Sequence, residues 1–524
     1  MERKSSLFAH VRYDLPAGLV VFLVALPLCL GVAVASGASP FAGIIAGVIG
    51  GLVVGALSQS PLSVSGPAAG LTSIVALAIE NLGQYEIFLM AVVLAGVMQL
   101  LMGYLKAGVI GNFIPNAVIK GMLAAIGIIL ILKQIPHFFG YDADPEGDEA
   151  FMQPDHSNTF SEIFSALEHI TPMAVVAGAL GLIILMVYEI KAVKNAPLSR
   201  FLPGPLAVVV SGIFINALAN RFNPGSAISE SHLVGLPVFN SASDVFGEIR
   251  LPDWTAIASP DMWTVAVTIA IVASIESLLS LEAVDDLDEQ KRISSPNREL
   301  VAQGAGNIVS GLLGGLPVTS VIVRSSANVN AGAKSKLSTI VHGVLLLASV
   351  LLFSKVFNLI PLASLAAILI FTGYKLAKIS LFKEYYRKGW GQFLPFIVTV
   401  LAIVFTDLLK GVAVGLLLGV FFIIRSNFRT AVSVIKDDYR YLIRFKKEVT
   451  FLNKSLVKTT FARIPDETAV LLDATRADFV DQDIVDLVND FIIHAPTRGI
   501  RVYLKRRNGK EEIFNDITQN VFRD

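Results

Sequence analysis

Ser65-Gly66-Pro67-Ala68-Ala69-Gly70 in the first half of the chain and Leu316-Pro317-Val318-Thr319-Ser320 in the second interrupt long apolar stretches. The second interruption is followed by Arg324-Ser325-Ser326. Proline, glycine and small residues break a helix in both places. Corresponding breaks in two halves of a membrane protein mark the binding site of a secondary transporter. A cation in an apolar region is costly and is kept for function, which singles out Arg324.

Working outward, the composition agrees with a polytopic membrane protein. Of the 524 residues 54% are hydrophobic and only 16% charged, against about 25% charged in soluble chains; the mean hydropathy is +0.66. Lysines and arginines balance aspartates and glutamates at 42 each, so no global charge points to nucleic acid. The single cysteine, Cys29, excludes an internal disulfide and a cysteine-based metal site. The N-terminal region lacks a cleavable-signal pattern, and the first span reads as retained.

Apolar segments near 15–36, 40–58, 67–80, 86–105, 113–133, 173–191 and 203–221 are followed by 262–282, 297–315, 324–333, 337–357, 359–376, 392–408 and 410–426. At about 20 residues per crossing these read as fourteen spans, the two short ones lying after the breaks. Asn112-Phe113-Ile114-Pro115-Asn116-Ala117 echoes Asn358-Leu359-Ile360-Pro361-Leu362-Ala363, and Pro67 and Pro317 stand at nearly the same separation. Two landmarks at one offset indicate an internal repeat, about 14–222 and 262–427. Seven spans is an odd number, so the repeats insert with opposite topology.

Arg3, Lys4 and Arg12 before the first span, with Arg425 and Arg429 after the last, make both termini cytoplasmic. The loop 136–172, with Asp142, Asp144, Glu146, Asp148, Glu149 and Asp155, then lies outside; its His137 and His156 read as part of a solvated acidic loop rather than as metal ligands. The acidic run Glu282, Asp285, Asp286, Asp288 and Glu289 likewise reads as a solvated loop. The glycines Gly43, Gly47, Gly50, Gly51 and Gly55 read as close helix packing. Residues 1–432 are assigned to the membrane domain and 436–524 to a small α/β domain, with strands at Val470–Asp473 and Ile500–Leu504 around a helix over Ile484–Ile493.

Two residues carry the candidate chemistry. Helix resumes near Arg324, and unsatisfied N–H groups at a helix start favour an anion. A second helix start after Pro67 and one guanidinium, whose fork suits oxyanions, complete an anion site. Glu276, in Ile271-Val272-Ala273-Ser274-Ile275-Glu276-Ser277-Leu278-Leu279-Ser280, is expensive unless it is paired, protonated or bound to a cation. It is assigned to coupling, as a proton carrier or as a Na⁺ ligand with Ser280 one turn later; a salt bridge to Arg324 is the structural alternative. No nucleophile with its base, Walker loop or dinucleotide fingerprint is present, so the chain reads as neither an enzyme nor an ATP-driven pump, and no cofactor is expected beyond Na⁺ as a coupling ion.

These residues resemble the sulfate permease (SulP) family of inorganic anion transporters over almost the whole chain. The resemblance rests on Ser65-Gly66-Pro67, Ile275-Glu276-Ser277-Leu278, Gly314 to Ser325, and Phe405-Thr406-Asp407-Leu408-Leu409-Lys410-Gly411-Val412. It implies fourteen spans as seven-plus-seven inverted repeats in core and gate domains, as in uracil permeases. It also implies a C-terminal STAS domain, a homodimer and an elevator-like motion. Anion contacts are then expected at Ala68, Ala69, Ser320, Val323, Arg324 and Ser325, with Glu276 and Ser280 as the coupling-cation pair. Bicarbonate members carry Asp at the Glu276 position and lack the arginine at 324; chloride, sulfate and dicarboxylate carriers have it. In the STAS-like tail Gln482 stands where bacterial STAS proteins carry a phosphorylatable Ser or Thr. The expected function is secondary transport of bicarbonate or sulfate, with chloride exchange as a variant, in a bacterial inner (plasma) membrane. The alternatives are a dicarboxylate/H⁺ symporter, an uncoupled anion channel, a nucleobase permease and a membrane sensor.

Overall fold

The computed structural model describes residues 7–67, 69–143, 151, 158–190, 193, 202–239, 242–437 and 440–505. Each expected span is a helix. The first repeat holds α1 (Val11–Ala35), α2 (Pro40–Leu57), α3 (Thr72–Leu82), α4 (Tyr85–Tyr104), α5 (Asn116–Phe139), α6 (Pro172–Glu189) and α7 (Gly204–Phe222). The second holds α8 (Pro260–Leu287), α9 (Pro296–Leu312), α10 (Ile322–Asn330), α11 (Leu337–Leu352), α12 (Leu362–Leu376), α13 (Trp390–Phe405) and α14 (Leu408–Thr430). The chain divides into two compact units, Met1–Leu416 and Leu417–Asp524, so the division falls inside α14.

Burial follows the lipid environment. In α1, 89% of the most apolar window is buried, against 28% in α6 and in α7. Phe214 and Met186 on these outer helices are 64% and 59% exposed, which is stable only against hydrocarbon. Helices approach closely where glycines meet. A Cβ on Gly127 of α5 would stand 2.6 Å from Gly373 O, and one on Gly373 of α12 would stand 2.5 Å from Gly127 O. This reciprocal contact, the small-residue packing expected between membrane helices, joins positions at the same separation as Pro115 and Pro361.

The two breaks find each other. Residues Ser65–Pro67 form strand β1 and Val318–Ser320 form β2. They pair antiparallel with Ser65 opposite Ser320 and Pro67 opposite Val318. Extended backbone at membrane depth survives only where its polar groups are satisfied inside protein, and here each strand supplies part of the other's partners.

Two sequence expectations change. The first three residues of the acidic run after Glu276 are not in a loop: α8 continues to Leu287 and carries Glu282, Asp285 and Asp286 in its last turns, while Asp288 and Glu289 lie just beyond it. Asp286 pairs with Lys120, Asp285 accepts from Ser294 N and Oγ at 2.6 and 2.7 Å, and Arg292 Nε donates to Asp288 at 2.6 Å. Local partners take Asp285, Asp286 and Asp288, while Glu289 stays largely exposed. The loop after α5 is also less open than its composition suggests. Asp142 takes the imidazoles of His137 and His232 at 2.5 Å each and is nearly buried; His156 lies outside the described residues.

In the second unit a four-stranded sheet runs in the order β3 (Val432–Asp437), β4 (Arg440–Val449), β5 (Ala469–Val480), β6 (Arg501–Lys505). β3 and β4 are antiparallel and the remaining pairs parallel. Helices α15 (Lys454–Ala462) and α16 (Gln482–His494) contribute to its core, where Val457, Ile484 and Val488 join Ile443, Phe445 and Leu472. The sequence reading missed β4 because its register shifts at Arg444/Lys446 and Lys447/Glu448 break the two-residue alternation. Asp481 caps α16 by accepting from Asp483 N at 3.0 Å, and Gln482 is the first helical residue.

Burial alone would raise the Asp473 carboxyl, but hydrogen bonds from Thr475 and Arg444 outweigh it and hold it below the usual aspartate range. A lowered native pKa gives stability that is present above the unfolded value and lost as pH falls through the native one. Amide protection in β4 and β5 of the whole protein, corrected for the intrinsic exchange rate, is therefore expected to fall on acidification below about pH 4. Asp473→Asn should show faster exchange already at pH 7, by about 1–2 kcal/mol, and little further change on acidification. Equal exchange in both proteins at pH 7 would remove the role.

Candidate functional site

The site is built where β1 and β2 pair. Val321 N donates to Val64 O at 2.9 Å, and Val64 N donates to Ser325 Oγ at 2.9 Å. The Ser63 and Ser320 hydroxyls are 2.6 Å apart. From α9, Asn307 Nδ2 donates to Val318 O at 3.0 Å and its Oδ1 accepts from Val318 N at 2.6 Å. Asn328 Nδ2 donates to Leu62 O at 2.9 Å. Two side-chain amides, Asn307 and Asn328, and the Ser325 hydroxyl thus take over backbone hydrogen bonds a continuous helix would have made.

Helix resumes at Ile322, two residues earlier than expected, which puts Arg324 in the first turn of α10. Its N-cap, Val321, has no side chain able to accept from the first N–H groups, so these keep the partial positive charge of a helix start. On the other side the chain leaves β1 through the 3-10 turn Ala69–Leu71 into α3, whose N-cap Leu71 also lacks a capping side chain.

Arg324 is 1% exposed. Its Nη2 donates to Pro67 O at 3.4 Å, a long bond, while Nε and Nη1 have no hydrogen-bond partner among the described residues. It makes no ion pair among the described residues, so the alternative of a salt bridge to Glu276 is not the arrangement found. A buried guanidinium with idle donors is expensive for folding alone, and a charged donor of this kind suits an oxyanion. Cys29 of α1 and His342 of α11, both fully buried, lie close enough to feel its charge.

Glu276 is 6% exposed in α8 and faces the start of α3: a Cβ on Gly70 would stand 3.0 Å from its Oε1. Ser280 is buried one turn later, but it is Ser277 whose Oγ accepts from Ser320 N at 3.2 Å and ties α8 to β2. Glu276 and Arg324 therefore meet the two sides of the same crossing.

The expected anion contacts divide. The Arg324 guanidinium and the N–H groups of Val323 and Arg324 are gathered at the α10 start, the Val323 side chain being in the core. The hydroxyls of Ser320 and Ser325 are engaged in the scaffold, with Ser63 and with Val64 N respectively. Ala69 opens the turn toward α3; Ala68 lies outside the described residues.

Sequence reasoning missed Asn307, Gln303 and Glu299 of α9. Gln303 Nε2 donates to Ser65 Oγ at 2.8 Å and to Glu299 Oε1 at 2.7 Å, and Glu299 takes a further hydrogen bond from Ser58. These three polar residues recur every fourth position, a stripe along one helical face that could have been read. His342, both of whose ring nitrogens lack hydrogen-bond partners among the described residues, carried no such periodic signal.

Known proteins share this arrangement of sequence and fold. Residues 11–399 match the Sulfate permease family. The putative sulfate transporter YvdB of Bacillus subtilis is 33% identical over 414 residues, 79% of this chain and 73% of that protein. The bicarbonate transporter BicA of Picosynechococcus is 28% identical over 418 residues, 78% of this chain and 69% of that protein. Among solved structures, the transmembrane domain of a cyanobacterial BicA aligns at TM-score 0.53 with 24% identity, covering 79% of this chain and 98% of that one. Murine Slc26a9 in its inward-facing state aligns at 0.68 with 15% identity, covering 96% and 86%. A mostly helical membrane fold with a small C-terminal sheet, paired helix breaks and a match over most of the membrane-spanning sequence make this chain a member of the sulfate permease family.

Proposed function

We propose that this protein is a secondary active transporter of a small inorganic oxyanion, bicarbonate or sulfate, held between the starts of α3 and α10. The observation that carries this reading is the buried Arg324, with Nε and Nη1 lacking partners among the described residues beside the β1–β2 crossing. Two uncapped helix starts add to its charge. The relatives named for sulfate and bicarbonate transport agree in substrate class. Both termini face the cytoplasm of a bacterial inner membrane, the second unit is a regulatory STAS domain, and the protein works as a homodimer. In an elevator-like cycle the helices bearing the crossing move as one body past the remainder.

The test is uptake of labelled bicarbonate, sulfate and fumarate into proteoliposomes under imposed Na⁺ or H⁺ gradients. One of the two inorganic anions should accumulate in a saturable, gradient-driven way. Accumulation of fumarate alone, or a conductance far above carrier turnover, would replace the reading by a dicarboxylate carrier or a channel.

Glu276 carries the coupling cation, H⁺ or Na⁺, with Ser280 as its second ligand in the Na⁺ case. Its position opposite Gly70 supports this, because occupancy of the carboxylate would be felt at the α3 start. Glu276→Gln removes the ionisable oxygen at nearly constant volume. Uptake by this variant should lose its response to the driving gradient by at least about tenfold, equivalent to about 1.4 kcal/mol of coupling, while anion binding stays within a few-fold. An unchanged gradient response would exclude the role.

A further inference from the structure

The short helix Ile379–Arg387 joins α12 to α13 and carries aromatic and basic residues together. One side is anchored: Tyr385 stacks on Phe396 of α13 at 4.7 Å, and Phe382 meets the same ring edge-on at 5.2 Å. Lys388, just beyond the helix, is neutralised by Glu384 at 2.6 Å and lies over the Tyr385 ring.

The other side is open. Phe382, Lys383, Tyr386, Arg387 and Phe393 line a cavity of about 310 Å³. Its surface is mostly apolar, and Lys383 and Arg387, two of its lining residues, stand one helical turn apart. Both are exposed and, among the described residues, neither makes an ion pair or a hydrogen bond. Tyr386 and Trp390 are 63% and 64% exposed beside it and pack edge-on with Phe393 at 5.4 and 5.8 Å.

We propose that this cavity binds an anionic phospholipid, its phosphate between Lys383 and Arg387 and its glycerol and upper acyl region against Phe382, Tyr386 and Phe393. An aromatic lining that also carries two cations matches a molecule that is anionic at one end and apolar at the other. Free phosphate would leave the aromatic lining unused, and the volume, roughly ten waters' worth, exceeds what it needs. An amphipathic helix with aromatic and basic residues between two spans sits at the lipid headgroup level. Each cation there favours an anionic lipid roughly fivefold, so the pair is worth roughly 25-fold. The inference rests on the chain spanning a membrane and is independent of which anion it carries.

Native mass spectrometry of the whole protein, with phosphatidylglycerol or phosphatidylcholine titrated into detergent, measures retained lipid. Trp390 in a Trp254→Phe/Trp263→Phe background reports brominated lipid locally. The native protein should retain phosphatidylglycerol over phosphatidylcholine and show quenching of Trp390 by brominated phosphatidylglycerol. Lys383→Gln/Arg387→Gln should lose most of that preference, by roughly 25-fold, while Lys388→Gln, whose cation is already paired, keeps it. Unfolding of the double variant is checked by its anion uptake, which should be retained. Three results would overturn the proposal: equal retention of both lipids, displacement of phosphatidylglycerol by millimolar inorganic phosphate, or a double variant that keeps its lipid and instead alters amide protection in residues 440–505, which would mark a protein contact.

Discussion

Arg324→Ala is expected to abolish saturable anion uptake without unfolding the protein. The guanidinium is 1% exposed, makes one long hydrogen bond to Pro67 O, and leaves Nε and Nη1 without partners among the described residues. Removing a buried charge that is paired within the protein costs about 3–5 kcal/mol of stability, because its partner is stranded. Here no ionic partner is stranded, so thermal stability should change little or rise. Anion binding loses a charge-assisted contact, and a loss of two or three kcal/mol corresponds to a fall in affinity of roughly 30- to 150-fold. Arg324→Lys keeps the charge but not the fork and should fall between the two. Labelled-anion uptake with a parallel melting curve separates the outcomes. Normal affinity in the alanine variant would sink the assignment, and a collapse of stability with binding retained would make Arg324 a structural residue.

Gly66→Ala should act on the same group from the opposite strand. A Cβ at Gly66 would stand 1.9 Å from Arg324 Nη1 and 3.0 Å from its Cζ. The obstacle is the far end of a flexible side chain, so the guanidinium swings away and the backbone pairing of β1 with β2 can persist. Uptake should therefore fall at least about tenfold, about 1.4 kcal/mol in the transport barrier, with a small change in melting temperature. Gly50→Ala makes the contrast. Its Cβ would meet the Ser65 carbonyl oxygen at 2.2 Å and carbon at 2.4 Å, and a strand backbone cannot step aside. Overpacking of this kind costs about 1–3 kcal/mol, so Gly50→Ala should lower stability and activity together. If both variants behave alike, the distinction between a displaced ligand group and a strained scaffold fails.

The lipid-facing and buried helices were legible because a bilayer imposes a length and a hydrophobicity that local composition reports directly. All the expected spans, and the strand–helix–strand order of the tail, follow from such local signals. The breaks were legible as breaks, since proline and glycine act on their own backbone. Gly50 shows the limit: its small size suggested helix packing, but the atom it makes room for is the Ser65 carbonyl in the first break. The acidic residues after Glu276 show it again. Their composition is that of a solvated loop, and their environment is a helix end held by Lys120, Ser294 and Arg292.

From its own residues the chain establishes a membrane protein of many spans, two matching interruptions, and a cation and an acid inside apolar sequence, because each of these is a property of residues near one another along the chain. Folding supplies the pairing of Ser65 with Ser320 and the clamping of that pair by Asn307, Gln303 and Ser277. It also turns Arg324 toward Pro67 and Glu276 toward Gly70. These are contacts between groups more than two hundred positions apart or on different helices. They depend on which hydrogen bonds the broken backbone can still find once the helices have packed, and no local pattern encodes that choice.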